Sequence, residues 1–132
     1  MSVDLRAKIR DIPDFPRPGI VFKDIMPLLE DPEALHEAVE ALAAFAAPRK
    51  PDLVLGAEAR GFILGGALAY RLGCGFVAAR KPGKLPWHTV TVEYALEYGG
   101  VVVGVAFLIE LAFLGGRERL AGHDIFSVIT YS

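Results

Sequence analysis

The feature that most constrains this chain is an apolar segment that runs into a turn and then into a second apolar segment. Three apolar residues, Leu53 to Leu55, predict a short buried strand that ends at Gly56. The turn carries Glu58 and Arg60, and Gly61 begins a segment long enough for a helix. This order places the turn at the carboxyl end of a sheet strand, where free N–H groups and the positive end of the helix dipole face one point. Because the Arg60 guanidinium suits phosphate oxygens, the stretch predicts an anion site. The same residues are also compatible with an ordinary βα turn that carries a surface arginine and binds nothing.

Length and composition predict one compact domain over residues 1–132. Hydrophobic residues make up 53% of the chain and charged residues 23%, which excludes disorder. The formal net charge of −2 provides no overall basic field for nucleic acid, so an anion has to be bound by a local cluster. The single cysteine, Cys74, allows no internal disulfide, and Met1–Arg10 lack the apolar core of a signal peptide. We therefore expect a cytoplasmic protein.

The segment Val101–Leu114 is apolar apart from Gly104 and Glu110. It falls short of the roughly 20 residues that a membrane-spanning helix needs, and Glu110 would be costly in a bilayer. Its valines and isoleucine favour a parallel strand that is buried on both faces. We expect no membrane contact and a buried strand over 101–110.

The N-terminal region predicts a short helix over Val3–Asp11 and then a stiff, extended loop over Ile12–Asp24. Three prolines and a glycine within seven residues exclude a helix in that loop. Phe15, Val21 and Phe22 supply apolar anchors. The loop either covers an edge of the core or forms a lid with an apolar face for a flat ligand.

The remaining pattern alternates helices with strands. Asp31 is a good N-cap with Pro32 at the first helical position, and that helix should stop before Pro48. The later elements are a helix over Gly61–Leu72 ended by Gly73, a strand over Phe76–Ala79, an exposed β-ribbon over Thr89–Tyr94, a short helical piece within Gly115–Leu120 and a last strand over Ile125–Tyr131. Strands separated by helices predict an α/β fold with a parallel, three-layer sheet.

Three cations, Arg80, Lys81 and Lys84, follow the strand over Phe76–Ala79. Ligands bind at the carboxyl ends of strands in open α/β sheets. Solvated loop cations are the ordinary interpretation, but a position beside Arg60, if the two strands are neighbours, favours an anion site.

Four motifs now give the chain a likeness to a known family. They occur in the family's order and cover Phe15–Ile25, Gly56–Phe62, Arg80–Pro86 and Glu93–Gly99. In these motifs the chain resembles the adenine phosphoribosyltransferases, which are type I phosphoribosyltransferases, and the likeness extends over nearly its whole length. The resemblance implies synthesis of AMP and pyrophosphate from adenine and phosphoribosyl pyrophosphate, with Mg²⁺ bound to the substrate, no resident metal site and a homodimer.

The resemblance also implies roles for individual residues. The turn matches the family's pyrophosphate loop, with a cis peptide between Glu58 and Ala59. The residues that would bind diphosphate are Glu58, Ala59, Arg60, Gly61, Lys81 and Lys84. Val21, Phe22 and Lys23 match the hood over adenine, formed by residues 1–30, with Lys23 contributing through its backbone. Glu97 and Tyr98 match the mobile catalytic loop, here a truncated loop over residues 85–100, and Glu97 matches the family's candidate group for proton transfer.

One motif of the family is missing from this chain. Relatives carry an apolar strand with two acidic residues at its end, a phosphate-binding loop of small and hydroxyl residues, and a helix. In this chain Gly99 is followed at once by Gly100 and Val101. The resemblance therefore implies an internal deletion after Gly99 and a sheet shortened by one strand–helix unit.

Three functions from different classes follow. The first is a working adenine phosphoribosyltransferase. The second is an inactive relative that binds adenine, AMP or diphosphate without turnover. The third is a structural remnant that only dimerises through exposed apolar edges.

Overall fold

The computed structural model describes residues 3–81, 83–84 and 100–132. Its strands and α-helices are β1 (Arg10–Ile12), β2 (Phe22–Asp24), α1 (Met26–Glu30), α2 (Pro32–Ala46), β3 (Leu53–Ala57), α3 (Arg60–Leu72), β4 (Gly75–Ala79), β5 (Val105–Leu111) and β6 (Ile125–Tyr131). The ribbon expected over Thr89–Tyr94 lies outside the described residues.

The N-terminal region forms a small antiparallel ribbon. The helix expected over Val3–Asp11 is wrong: only Arg6–Lys8 is helical, as a single 3-10 turn, and β1 follows it. β1 pairs with β2, with Ile12 opposite Phe22. This pairing joins the two ends of the proline-rich loop. Backbone N–H and C=O groups that cannot bond within a helix are hydrogen-bonded between β1 and β2 instead.

The first long helix follows the sequence signals closely. The Asp31 carboxylate accepts hydrogen bonds from the N–H groups of Glu33 and Ala34, at 3.0 and 3.3 Å, so the predicted N-cap is confirmed. α2 ends at Ala46, before Pro48, as expected. Its buried face packs into the core with Leu28 of α1 and Leu64 of α3.

The β3–α3–β4 unit also follows its sequence pattern. α3 ends at Gly73, which has the left-handed conformation (φ 76°) that favours glycine at this position. β3 and β4 pair in parallel, with Leu53 opposite Gly75 and Ala57 opposite Ala79. The condition set for the anion site, that the two strands be neighbours, is therefore met.

The second parallel pair is shorter than its sequence predicts. β5 begins at Val105, and residues 101–104 form no strand; Val101 is 80% exposed. The expectation of a strand over 101–110 buried on both faces is therefore wrong for its first four residues. Most of β5 is only half-buried, with Leu108 as its buried residue. β5 pairs with β6 in parallel, and the helical piece in Gly115–Leu120 is a 3-10 helix over Gly116–Leu120.

The two parallel pairs belong to separate two-stranded sheets in the described part of the chain. Side chains of both pairs pack on one core, in which Val54 and Phe126 border the buried residues of α2 and α3. The opposite face of β3–β4 is exposed, as the side chains of Leu53, Leu55 and Val77 show, so the expectation of a buried strand over Leu53–Leu55 is wrong for Leu53 and Leu55. A parallel strand normally has both faces covered, and the residues that the structure describes cover only one face here. None of the described helices has the length and apolar character that a membrane crossing requires.

Candidate functional site

Two turns meet at the carboxyl end of the β3–β4 pair. The strand register carries on one residue past the strands, because the Glu58 N–H donates to the Ala79 carbonyl oxygen at 3.2 Å. The turn after β3 and the basic segment after β4 therefore lie side by side. This is the arrangement that the sequence predicts for the rim of a parallel sheet.

The Glu58 carboxylate ties the two turns together. Its Oε1 accepts the Lys81 N–H at 2.9 Å, and its Oε2 accepts two bonds from the Arg80 guanidinium at 3.3 Å each. Arg80 Nη1 also donates to the Lys84 carbonyl oxygen at 3.1 Å. The Lys81 N–H, and secondly the Arg80 side chain, hold the pKa of Glu58 below its ordinary value. The carboxylate is thus a charged anchor for the basic segment.

Replacing Glu58 with glutamine is expected to alter the pH dependence of stability. A carboxylate whose pKa is lowered by folding stabilises the protein above its ordinary pKa of 4.5, and that contribution is lost as the pH falls through the folded-state value. The melting temperature of Glu58→Gln should therefore fall less than that of the wild type between roughly pH 6 and pH 3. Differential scanning calorimetry against Glu30→Gln, an exposed carboxylate on α1, measures this. An equal fall in melting temperature with decreasing pH for Glu58→Gln and the wild type would contradict this prediction.

The backbone of the turn presents donors to the same rim. The peptide bond between Glu58 and Ala59 is cis, as the family resemblance implied. α3 begins directly after it with no side chain capping its N-terminus. The first N–H groups of a helix have no partner within the helix, and the helix dipole adds positive potential there. Arg60 and Gly61 occupy these positions.

An open pocket of about 280 Å³ lies where the turns meet. It is lined by Ala57, Glu58, Ala79, Arg80 and Lys81. The Lys84 N–H donates a hydrogen bond of 3.2 Å to the Lys81 carbonyl oxygen, which holds the basic segment in a turn beside this pocket. The arrangement places the cations Arg80 and Lys81 at one cavity beside the turn that leads into α3, and cations suit an anion with several oxygens.

The Arg60 side chain lies against the ribbon of residues 10–24. Its Cζ atom is 4.6 Å from the centroid of the Phe22 ring, a cation–π distance. Phe22 meets Phe15 edge to face, with ring centroids 5.2 Å apart. The residues proposed for diphosphate and for adenine are therefore in contact.

The ribbon offers an apolar surface. Phe15 and Val21 are 49% and 51% exposed. The Lys23 side chain is engaged elsewhere: its Nζ bonds to Asp11 at 2.7 Å and lies 4.1 Å from the Tyr131 ring centroid. The Lys23 ammonium group is thus already bonded within the protein, and the contribution of the Lys23 backbone to adenine binding stays a prediction.

Both expected catalytic residues, Glu97 and Tyr98, lie outside the described residues, as does most of the loop over 85–100. Within the described residues, no three acidic, histidine or cysteine side chains form a group that would hold a metal ion. The described rim thus offers cations and N–H donors and no carboxylate cluster.

Sequence reasoning missed the role of Arg80. It placed Arg80 among the rim cations but did not foresee that its side chain would bond to Glu58 instead of facing a ligand. The signal was available: Glu58 is one residue past the end of β3 and Arg80 is one residue past the end of β4, so parallel pairing makes them neighbours. It also missed the contact between Phe22 and Arg60, which depends on how the ribbon packs.

Comparisons with known proteins identify the family to which the chain belongs. A curated adenine phosphoribosyltransferase of Symbiobacterium thermophilum is 43% identical over 170 aligned positions, covering 98% of this chain and 100% of the relative. The chain belongs to the adenine phosphoribosyltransferase family. Crystal structures of adenine phosphoribosyltransferases agree: the one from Thermoanaerobacter pseudethanolicus superposes with a TM-score of 0.90 at 39% identity, covering 97% of this chain and 98% of that one. The enzyme from Giardia lamblia, complexed with 9-deazaadenine, superposes with a TM-score of 0.85 at 33% identity, covering 100% and 99%. No family model matches the chain.

The predicted α/β fold of type I phosphoribosyltransferase kind is thereby confirmed. The alignment also bears on the deletion. It has 170 positions and the chain has 132 residues, so at least 38 positions have no residue of this chain opposite them. This member of the family is shorter than its relatives, consistent with an internal deletion.

Proposed function

We propose that the chain forms AMP and pyrophosphate from adenine and phosphoribosyl pyrophosphate. The observation that carries this proposal is the joining of the β3–α3 turn to Lys81 through Glu58, which places the turn that leads into α3 and the cations Arg80 and Lys81 around one pocket. In the reaction, N9 of adenine bonds to ribose C1 while the bond from C1 to the diphosphate oxygen breaks. The diphosphate leaves with the electron pair, and N9 gives up its proton.

The described residues would act mainly on the leaving group. Negative charge grows on the diphosphate as its bond to C1 breaks, and donors that are already in place stabilise that charge without reorganising. We assign this work to the main-chain N–H groups of Ala59–Gly61 and to the cations Arg60, Lys81 and Lys84, because the Glu58 N–H already donates to Ala79. Mg²⁺ would enter as part of the substrate, as its complex with phosphoribosyl pyrophosphate.

Adenine would lie under the ribbon. The apolar surface of Val21 and Phe22 suits a flat base, and the main chain of Lys23 would supply polar groups for its ring nitrogens. The Giardia lamblia relative, which was crystallised with 9-deazaadenine, supports this assignment. Glu97 is proposed to accept the proton from N9, and Tyr98 to close the site with it.

A second function has an observation in its favour. The chain has no counterpart of the acidic strand end and the phosphate-binding loop, and its parallel strands form two separate pairs in the described part. A protein of this kind would bind AMP or pyrophosphate without turnover, because the ribose and the 5-phosphate would lack their donors. The third possibility, a remnant that only dimerises, predicts binding of neither ligand.

Two measurements separate the three. The first follows AMP formation from adenine and Mg²⁺–phosphoribosyl pyrophosphate by chromatography. The second titrates AMP and pyrophosphate into the protein in a calorimeter. AMP formation supports the enzyme, binding without AMP formation leaves the second function, and neither signal leaves only the remnant.

Replacing Arg60 with alanine should weaken pyrophosphate binding by about 1.5–3 kcal/mol, the range for a lost charge-assisted hydrogen bond, or roughly 10- to 150-fold in Kd. Calorimetric titration measures the change. Arg119→Ala, which removes an exposed arginine from the 3-10 helix after β5, is the matched control and should bind as the wild type does. An unchanged Kd in Arg60→Ala would contradict the assignment of Arg60 to the diphosphate site.

We also propose a cytoplasmic homodimer. The lone cysteine, Cys74, suits a reducing compartment. The exposed apolar side chains of Phe113 and Leu114, in the 3-10 turn after β5, would gain from burial against a second copy. Sedimentation equilibrium gives the oligomeric state, and a monomer at high protein concentration would contradict this proposal.

A further inference from the structure

The contact between Phe22 and Arg60 joins two segments that the sequence separates widely. Arg60 begins α3, directly after the turn proposed for diphosphate, and Phe22 belongs to β2. The guanidinium carbon is 4.6 Å from the ring centroid. At this distance the ring attracts the cation and restricts the rotamers of a long, exposed side chain.

Phe22 provides a firm base for this contact. Its backbone is fixed by pairing with Ile12 in β1, and its ring is half-buried. Phe15 packs on it in an edge-to-face arrangement, with a centroid distance of 5.2 Å. The ring is therefore held from the backbone and from a neighbouring ring before it meets Arg60.

The guanidinium has no acidic partner in the part of the chain that the structure describes: none of the ion pairs there includes Arg60. The carboxylate of Asp24, on the same strand as Phe22, is already occupied. It accepts bonds from Arg10 at 2.6 and 3.1 Å and from the Met26 N–H at 3.0 Å. The pKa of Asp24 is lowered first by the Met26 N–H, then by Arg10 and least by Arg60 through space. Arg60 forms no ion pair with Asp24, so the group in contact with the guanidinium is an aromatic ring and not a carboxylate.

This difference matters for an anion site. A carboxylate partner would occupy the N–H groups of the guanidinium and neutralise its charge. An aromatic ring carries no net charge and therefore leaves the charge of the guanidinium intact. An arginine over a ring is thus oriented and remains fully charged.

We infer that Phe22 is a positioning residue for diphosphate binding, which holds the Arg60 guanidinium in a limited set of orientations while leaving its donors to the ligand. The inference rests on the proposed function, because it assumes that Arg60 binds diphosphate. It assigns Phe22 a role in addition to the purine contact. Less side-chain freedom then has to be lost when the anion binds, which strengthens binding.

The test measures pyrophosphate Kd by calorimetry in a double-mutant cycle. Phe22→Leu keeps an apolar side chain but removes the ring, and it should raise Kd roughly three- to tenfold. Phe22→Tyr keeps the ring face and should bind within about twofold of the wild type. In the Arg60→Ala background, Phe22→Leu should have no further effect on Kd. An equal loss in both backgrounds, or no loss in the wild-type background, would overturn the inference.

A second readout requires no ligand. Protons of the Arg60 side chain above the Phe22 ring should resonate upfield in the NMR spectrum of the free protein, and this shift should vanish in Phe22→Leu but persist in Phe22→Tyr. Absence of the shift in the wild type would overturn the inference even if pyrophosphate binds. Absence of pyrophosphate binding to the wild type would overturn the proposed function and the inference together, whereas binding that is indifferent to Phe22→Leu would overturn the inference alone.

Discussion

Replacing Gly56 with alanine should destabilise the protein by about 3 kcal/mol or more. A Cβ atom at this position would collide with the Gly61 carbonyl oxygen and lie 2.8 Å from Phe76 Cε1. The carbonyl oxygen belongs to the first turn of α3, so relief requires a backbone shift. Urea denaturation measures the loss as a lower midpoint.

The matched control is Gly66, which lies in α3, the helix that Gly56 approaches. A Cβ atom at Gly66 would meet nothing within 4 Å. Gly66→Ala should be neutral or stabilise by about 0.5–1 kcal/mol, because alanine loses less backbone freedom in a helix. Equal stability of the two variants would contradict the close approach of β3 to α3. A displaced turn should also weaken pyrophosphate binding in Gly56→Ala and leave it unchanged in Gly66→Ala.

Replacing Leu28 with alanine should cost about 2–5 kcal/mol, the range for a leucine truncated in a packed core. Leu28 is fully buried between α1 and the core residues of α2 and α3. Leu55, which is 60% exposed on the uncovered face of β3, provides the comparison. Leu55→Ala should cost less than about 1 kcal/mol, because little apolar area is lost from contact.

The Leu28 and Leu55 pair also tests the architecture. Urea midpoints of both variants compare a covered leucine with an uncovered one. A loss at Leu55 as large as at Leu28 would contradict the uncovered face and would mean that another layer packs on β3–β4 in solution.

Local signals predicted most of the elements that carry the site. The N-cap at Asp31, the end of α3 at Gly73 and the strands β3, β4 and β6 all follow from residue types whose preference acts within a few residues. The prediction of a helix over Val3–Asp11 was wrong because residues 10–12 pair with β2 as a strand. The start of the strand expected at residue 101 failed for a related reason, since an apolar run becomes a strand only where another strand pairs with it.

The sequence by itself determined the turn after β3, the basic segment after β4 and their place at the carboxyl ends of parallel strands. It also determined the absence of the family's acidic strand end and phosphate-binding loop. Only the tertiary structure decided that Glu58 joins the two turns through Arg80 and Lys81, and that Arg60 lies on Phe22. The physical reason is range: backbone preferences act between near neighbours in the chain, whereas ion pairs and ring contacts depend on how distant segments pack.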